Sequence, residues 1–191
     1  GKLAAVICVE DPLREEAADA VRELKEAGIT KVVMMTGDSE RTAAAIAKRV
    51  GVDEYYSEVL PEDKASFVEK EKELGHKVIM IGDGINDSLA LSSASVGIAI
   101  SDGAAIAREI ADVTISADNL HEIVTLKRLS TALMKRIHNN YRTIIGINGG
   151  LIALGVTGII MPTTSALLHN MSTLTISLRS MRNLLPKEEE A

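Results

Sequence analysis

Aromatic side chains are nearly missing from this sequence: 2% of 191 residues, with no Trp and a single Phe. So few rings leave no platform for stacking bases. The formal charge of −6 adds no overall basic surface, and nucleic acid is excluded as a partner. One cysteine, Cys8, excludes a disulfide framework and any site made of several thiolates. Its place in the first apolar run makes it a core residue. The first residues do not read as a secretory leader, since Lys2, Glu10 and Asp11 interrupt the apolar run. What is present, 46% apolar and 25% charged residues, is the composition of a folded chain.

A further absence is local. Gly1–Arg128 carries 24 acidic against 15 basic residues, a net of −9, whereas Leu129–Pro186 has five basic residues and no acid. Lys187 and Glu188–Glu190 then close the chain. The expected division is therefore a first domain over 1–128, a second segment over 129–186 and an acidic tail over 187–191.

The first domain alternates between two patterns. Short apolar runs at Leu3–Val9, Lys31–Met35, Lys77–Ile81, Val96–Ile100 and Val113–Ile115 predict strands. Helical spacing covers Glu15–Ala27, Glu40–Val50 and Glu62–Leu74, each stopped by a glycine. Ser39 and Pro61 stand where an N-cap and an N1 proline belong. Strands alternating with helices predict an α/β fold with a parallel, Rossmann-like sheet.

Ligands of such sheets bind at the carboxyl ends of the strands, and the polar clusters fall there. Thr36-Gly37-Asp38 follows the second run, and Gly82-Asp83-Gly84-Ile85-Asn86-Asp87 follows the third. Between them Leu60-Pro61-Glu62-Asp63-Lys64 opens a helix. The Thr36 hydroxyl and Gly37 amide suit phosphate oxygens, and Lys64 suits the charge on a transferring phosphoryl group. Asp83 and Asp87, with Asn86 beside them, are hard oxygen donors for Mg²⁺. Thr-Gly-Asp or a helix lysine alone would be ordinary structure. Two carboxylates and an Asn within a few residues of a buried strand are costly without a partner, and the three segments in this order favour chemistry.

These motifs, with Ser88-Leu89-Ala90-Leu91 after Asp87 and Asp11-Pro12-Leu13-Arg14 after the first strand, resemble the phosphorylation domain of P-type ATPases in the haloacid dehalogenase superfamily. The likeness covers roughly residues 3–128. It implies that Thr36 and Lys64 contact an aspartyl phosphate, and that Asp83 binds Mg²⁺ with support from Asn86 and Asp87. It also implies that Asp38 meets the actuator domain during dephosphorylation. The family's nucleophile stands in an Asp-Lys-Thr-Gly-Thr segment, which this sequence lacks. Asp11 is followed by Pro12 and does not replace it. By resemblance the chain is the carboxyl-terminal part of a longer pump, beginning after the domain that mainly binds ATP. Alone it is expected to be inactive.

The second segment is read as a transmembrane hairpin. Ile144–Met161 and Thr163–Leu178 are apolar-rich stretches separated by Pro162, each reaching the roughly 20 residues of a membrane helix with its uncharged flanks. Lys127, Arg128, Lys135, Arg136 and Arg142 precede the pair, and Arg179, Arg182 and Lys187 follow it. Both ends are thereby placed on the cytosolic side of a lipid bilayer, as a multi-pass protein of a bacterial plasma membrane. Two final helices are similar to the heavy-metal (type IB) pumps. His169, Asn170 and Ser172, with Asn148 one helix earlier, are the candidates for the transported ion: zinc, manganese, cobalt, nickel, cadmium or copper. Ser172 and Thr173 could equally bond a backbone carbonyl. The resemblance further implies that phosphorylation by ATP needs the transported ion, whereas phosphorylation by inorganic phosphate does not. Two alternatives compete with the pump. A membrane-anchored phosphatase would need an Asp-x-Asp near the amino terminus, which is absent. A non-catalytic Mg²⁺- and phosphate-sensing membrane protein is the other.

Overall fold

The structure is a computed structural model that describes residues 13–82, 86–100, 109–115 and 119–184. The expected first strand, with Cys8, Asp11 and Pro12, lies outside the described residues, as do Asp83 and Lys187. The chain divides into two compact units, Gly1–Val124 and Thr125–Ala191.

In the first unit, α1 (Ala17–Glu26) leads to β1 (Val33–Met35), α2 (Glu40–Val50) and β2 (Glu54–Tyr56). Then come α3 (Pro61–Glu73), β3 (Ile79–Gly82), α4 (Ser88–Ser93), β4 (Val96–Ile100) and β5 (Val113–Ile115). Among the described residues every strand pair is parallel, as the alternating pattern predicts. Among the described residues the strands form two sheets, β1–β2 in the register Val33↔Glu54 and β3–β4–β5 in the registers Ile79↔Val96 and Ile98↔Val113.

Helix ends follow the local chemistry. Gly51 takes φ 79°, a left-handed conformation that lets its N–H close on the Ala47 carbonyl and end α2. Pro61 opens α3, and the Asp63 carboxylate accepts from the Leu60 N–H at 3.2 Å. The core joins α3, β3 and α4 through Val68, Met80, Ala90 and Leu91, with Met35, Ala65, Val78, Ala94 and Ile110 packed around them. A side chain the size of Leu91, 1% exposed, contributes about 1.5–3 kcal/mol by leaving water. Gly97 lets β4 pass close beneath α4, because a Cβ there would stand 2.6 Å from the Leu91 carbonyl oxygen.

α5 (His121–Val156) begins in the first unit and continues through the second, where α6 (Pro162–Ser180) follows a short turn. Gly158 at φ 74° makes that turn. Side-chain hydrogen bonds join α5 to α6 at Arg136, Asn140 and Asn148, paired with the end, the end and the middle of α6, so the helices run antiparallel.

The expectation of membrane-crossing helices requires correction. Among the described residues no helix is long and apolar enough to cross a membrane. The apolar run Ile144–Met161 is not one helix, because α5 stops at Val156 and the remainder lies in the turn. Asn139, Asn140 and Arg142 precede that run within α5. The run Thr163–Leu178 is diluted by His169, Asn170 and hydroxyls. The helical hairpin is present; its hydropathy is lower than its length suggests.

Candidate functional site

Thr36-Gly37-Asp38 leaves the carboxyl end of β1 and is strapped down by the segment after β2. Thr36 N–H donates to the Tyr56 carbonyl at 3.0 Å, Val59 N–H to Thr36 at 3.0 Å and Glu58 N–H to Asp38 at 2.9 Å. Glu58 accepts a left-handed φ of 53° to do so. Glu40, at the start of α2, fastens the same strap by accepting from the hydroxyls of Tyr55 (2.7 Å) and Ser57 (2.6 Å). The Ser57 hydroxyl first and the Tyr55 hydroxyl second hold the Glu40 carboxyl below its ordinary value. Within the loop, the Thr36 hydroxyl donates to Asp38 Oδ2 at 2.9 Å and accepts from the Asp38 N–H at 3.1 Å. A Cβ on Gly37 would meet nothing closer than Val59 O at 4.0 Å, so protein packing does not require glycine there.

Lys64 and Asp87, 23 residues apart in sequence, meet directly. Lys64 Nζ lies 2.7 Å from Asp87 Oδ1, and the two side chains are only 15% and 13% exposed. Lys64 stands in the first turn of α3 and Asp87 caps α4, so the packing of Val68 against Leu91 holds both ends of the pair. The Asp87 carboxylate lies across Gly82, the last residue of β3. A Cβ at Gly82 would come within 2.5 Å of Asp87 Oδ2 and 2.6 Å of its Cβ. A second tie at the other end of these helices runs from Lys72 Nζ to the Ser93 carbonyl at 2.5 Å, and from the Ser93 hydroxyl to Glu69 at 3.2 Å.

The sequence singles out Lys64 and Asp87 for separate roles, on phosphate and on metal; their direct pairing is a finding of the structure. Gly82 and Glu40 carry structural duties that sequence reading left unassigned. Glu40 had only its place at a helix start as a signal. Asn86 is exposed beside Asp87.

For Mg²⁺ the donor chemistry fits: Asp87 keeps Oδ2 beyond its contact with Lys64, and Asn86 adds an amide oxygen, both hard donors. Asp83, the other expected ligand, lies outside the described residues. Among the described residues no group of three or more His, Cys, Asp or Glu converges on a cation.

The second unit brings together two of the ion candidates. His169 Nδ1 lies 2.9 Å from Asn148 Oδ1 across the hairpin. With the amide oxygen accepting, Nδ1 is the donor, and a ring of that tautomer leaves its Nε2 lone pair for a cation. Ser172 is not turned toward this pair: its hydroxyl donates to the His169 carbonyl at 2.8 Å, as does Thr173 at 3.0 Å. Asn170 is exposed on α6.

Residues 1–95 match the family model of the haloacid dehalogenase-like hydrolases. A zinc-exporting P-type ATPase of Mycobacterium marinum is 37% identical over 183 residues, 95% of this chain and 25% of its own length. Copper-transporting ATPase 2 of Rhizobium meliloti is 43% identical over 168 residues, 88% of this chain and 20% of its own length. A solved zinc-transporting PIB-type ATPase in its E2·Pi state superposes with a TM-score of 0.83 at 34% identity, over 93% of this chain and 29% of that one. Residues 1–95 are thus similar to the haloacid dehalogenase-like hydrolases. The relatives that match most of the chain are metal-transporting P-type ATPases, and it spans about a quarter or less of their length.

Proposed function

We propose that this chain supplies the phosphate and Mg²⁺ site, and part of the ion path, of an ATP-driven heavy-metal cation pump that works through an aspartyl phosphate. The observation that carries this reading is the shielded Lys64–Asp87 pair, joined across Gly82 at the carboxyl end of β3. A cation held at that place by a carboxylate is ready to face phosphoryl oxygens, and charge aimed in advance at a transferring group stabilises it most where water is scarce. Lys64 holds charge toward the phosphoryl group, while the Thr36 hydroxyl and the Gly37 amide orient its oxygens. Asp38 takes part in release of the phosphate. Asp83, Asp87 and Asn86 hold Mg²⁺, which when bound neutralises charge on the transferring group. ATP itself is bound mainly by another domain of the whole pump.

The domains are then a phosphorylation domain over 1–128, a helical hairpin over 129–186 and a short acidic tail. Although neither described helix is apolar enough to cross a bilayer by itself, we place the hairpin among other helices of the membrane portion of the whole protein, with both ends on the cytosolic side. Its exposed apolar surface supports this. Ile145, Ile152, Val156, Leu167, Leu174 and Leu178 are more than half exposed, while Ala132, Asn140, Asn148, Ser165, Ser172 and Ser180 are half-buried together with Ile147, Leu151 and Ile176. Outward apolar side chains suit a surround of lipid or further helices, and small or polar side chains between helices are what packing in lipid uses. The transported ion is a transition-metal cation of the zinc, manganese, cobalt, nickel, cadmium or copper group, met by His169 and Asn148, with Asn170 and Ser172 nearby.

The test uses the full-length pump. Lys64→Ala and Asp83→Asn should each lower formation or turnover of the phosphoenzyme from labelled ATP by about a hundredfold or more. Near-normal metal-stimulated ATP hydrolysis in both variants overturns the assignment.

A further inference from the structure

We infer that Arg136 is a positioning residue that clamps the end of α6 and so sets the level at which His169 meets Asn148. This rests on reading the hairpin as part of the ion path. The last four carbonyls of a helix have no partner within it. At and just beyond the end of α6 one guanidinium collects three carbonyls: Arg136 donates to Ser180, the last residue of the helix, at 2.9 Å, and to Arg182 at 2.5 Å and Asn183 at 3.0 Å in the segment that follows. One turn further along α5, Asn140 Nδ2 donates to the Ser180 hydroxyl at 2.7 Å, and that hydroxyl donates to the Ile176 carbonyl at 2.8 Å. Five donors in a rigid fork make arginine suited to several acceptors at once, and a cation is favoured at a helix C-terminus.

Packing fixes this register weakly. α6 has no fully buried residue, only the half-buried Ser165, Ser172, Ile176 and Ser180. The polar ties fix it. Arg136 and Asn148 are separated along α5 by about 18 Å, and Ser180 and His169 along α6 by about 16.5 Å, at 1.5 Å per residue. One antiparallel register therefore satisfies the clamp and the His169–Asn148 pair together. A slip of one turn, about 5.4 Å, breaks both. The clamp acts on the ion only through that pair. Its loss should weaken metal binding and leave the phosphate chemistry intact.

The experiment measures, in full-length pump in membranes, the metal concentration for half-maximal phosphorylation by ATP, and separately phosphorylation by inorganic phosphate without metal. Arg136→Gln should raise the required metal by about tenfold, the usual size of an effect on residues that orient ligands, with phosphorylation by inorganic phosphate unchanged. Arg136→Lys, which keeps the cation but not the fork, should lie between, and Asn140→Ala should shift the same quantity in the same direction. His169→Ala serves as the reference. A shift with His169→Ala but none with Arg136→Gln overturns the clamp and leaves the ion-path reading standing. No shift with either overturns the ion-path reading and the clamp with it. If Arg136→Gln fails to accumulate, Arg136→Lys and Asn140→Ala decide: unchanged metal dependence in both overturns the proposal. Loss of both phosphorylation reactions together in the accumulating variants makes Arg136 a folding residue and overturns it as well.

Discussion

Two glycines in this chain differ in what they are for, and the difference can be measured. At Gly82 a Cβ collides with the Asp87 side chain at 2.5–2.6 Å. Gly82→Ala should therefore cost about 1–3 kcal/mol in urea unfolding and should also displace Asp87 from Lys64. At Gly37 the nearest atom to an added Cβ is 4.0 Å away. Gly37→Ala should change stability by less than about 0.5 kcal/mol, yet lower phosphoenzyme formation in the full pump if phosphate oxygens approach that backbone. Equal activity of Gly37→Ala and wild type would remove Gly37 from the site. Titration adds a second expectation at this scale. Lys25, bonded at 2.7 Å, and then the Val32 N–H hold Asp53 below its ordinary carboxyl range, and Glu40 is lowered by Ser57 and Tyr55. A carboxyl depressed on folding stabilises the fold above its unfolded pKa of about 4, and that contribution is lost as pH falls through the lower folded value. Thermal melts of the chain should show this loss on the acid side, and Asp53→Asn should flatten part of it. An unaltered acid limb in Asp53→Asn would show that the bond to Lys25 does not matter to stability.

Elements carry the site through packing. Leu91, on the short helix α4, is 1% exposed and touches the α3–β3 core. Leu91→Ala should cost about 2–5 kcal/mol by leaving a cavity under α4. It should also loosen the Lys64–Asp87 pair, visible as a higher Mg²⁺ concentration for half-maximal activity of the full pump; a loss below about 1 kcal/mol would mean that the core closes over the gap. Much at this scale is legible in the sequence. α2 runs over Glu40–Val50 because its spacing is helical and Gly51 can turn left-handed, and β4 and β5 fall on the apolar runs Val96–Ile100 and Val113–Ile115. β2 was not visible: Glu54–Tyr56 is three residues without alternation, and it is a strand only because β1 lies beside it. Lys64 and Asp87 each stood out through neighbours in sequence, whereas their contact depends on α3 packing against α4. The hairpin's length was legible in its missing acids. Its polar seam was not, since half-buried Asn and Ser follow from how two helices meet.

On the scale of the whole molecule, the proposed phosphate site and the proposed ion site fall in different units of the chain. Thr36, Lys64 and Asp87 belong to the first unit, and Asn148 and His169 to the second. Coupling between such sites works through a change of state, and each is expected to fail by itself when its own residues are altered. The same division governs what this chain does alone. Its sequence has no Asp-Lys-Thr-Gly-Thr segment, so in the roles proposed above Lys64 and Asp87 lack the family's carboxylate nucleophile. Orienting and charge-stabilising groups raise the rate of a transfer only when a nucleophile is present to accept it. Purified chain incubated with Mg²⁺ and labelled ATP should therefore give no acid-stable phosphoprotein and no phosphate release above a heat-treated control. Steady turnover would place a nucleophile within this sequence, and Asp11→Asn would then be the first variant to examine. A full-length pump carrying the Asp-Lys-Thr-Gly-Thr segment should label under the same conditions once the transported metal is added, and should lose that label with Lys64→Ala.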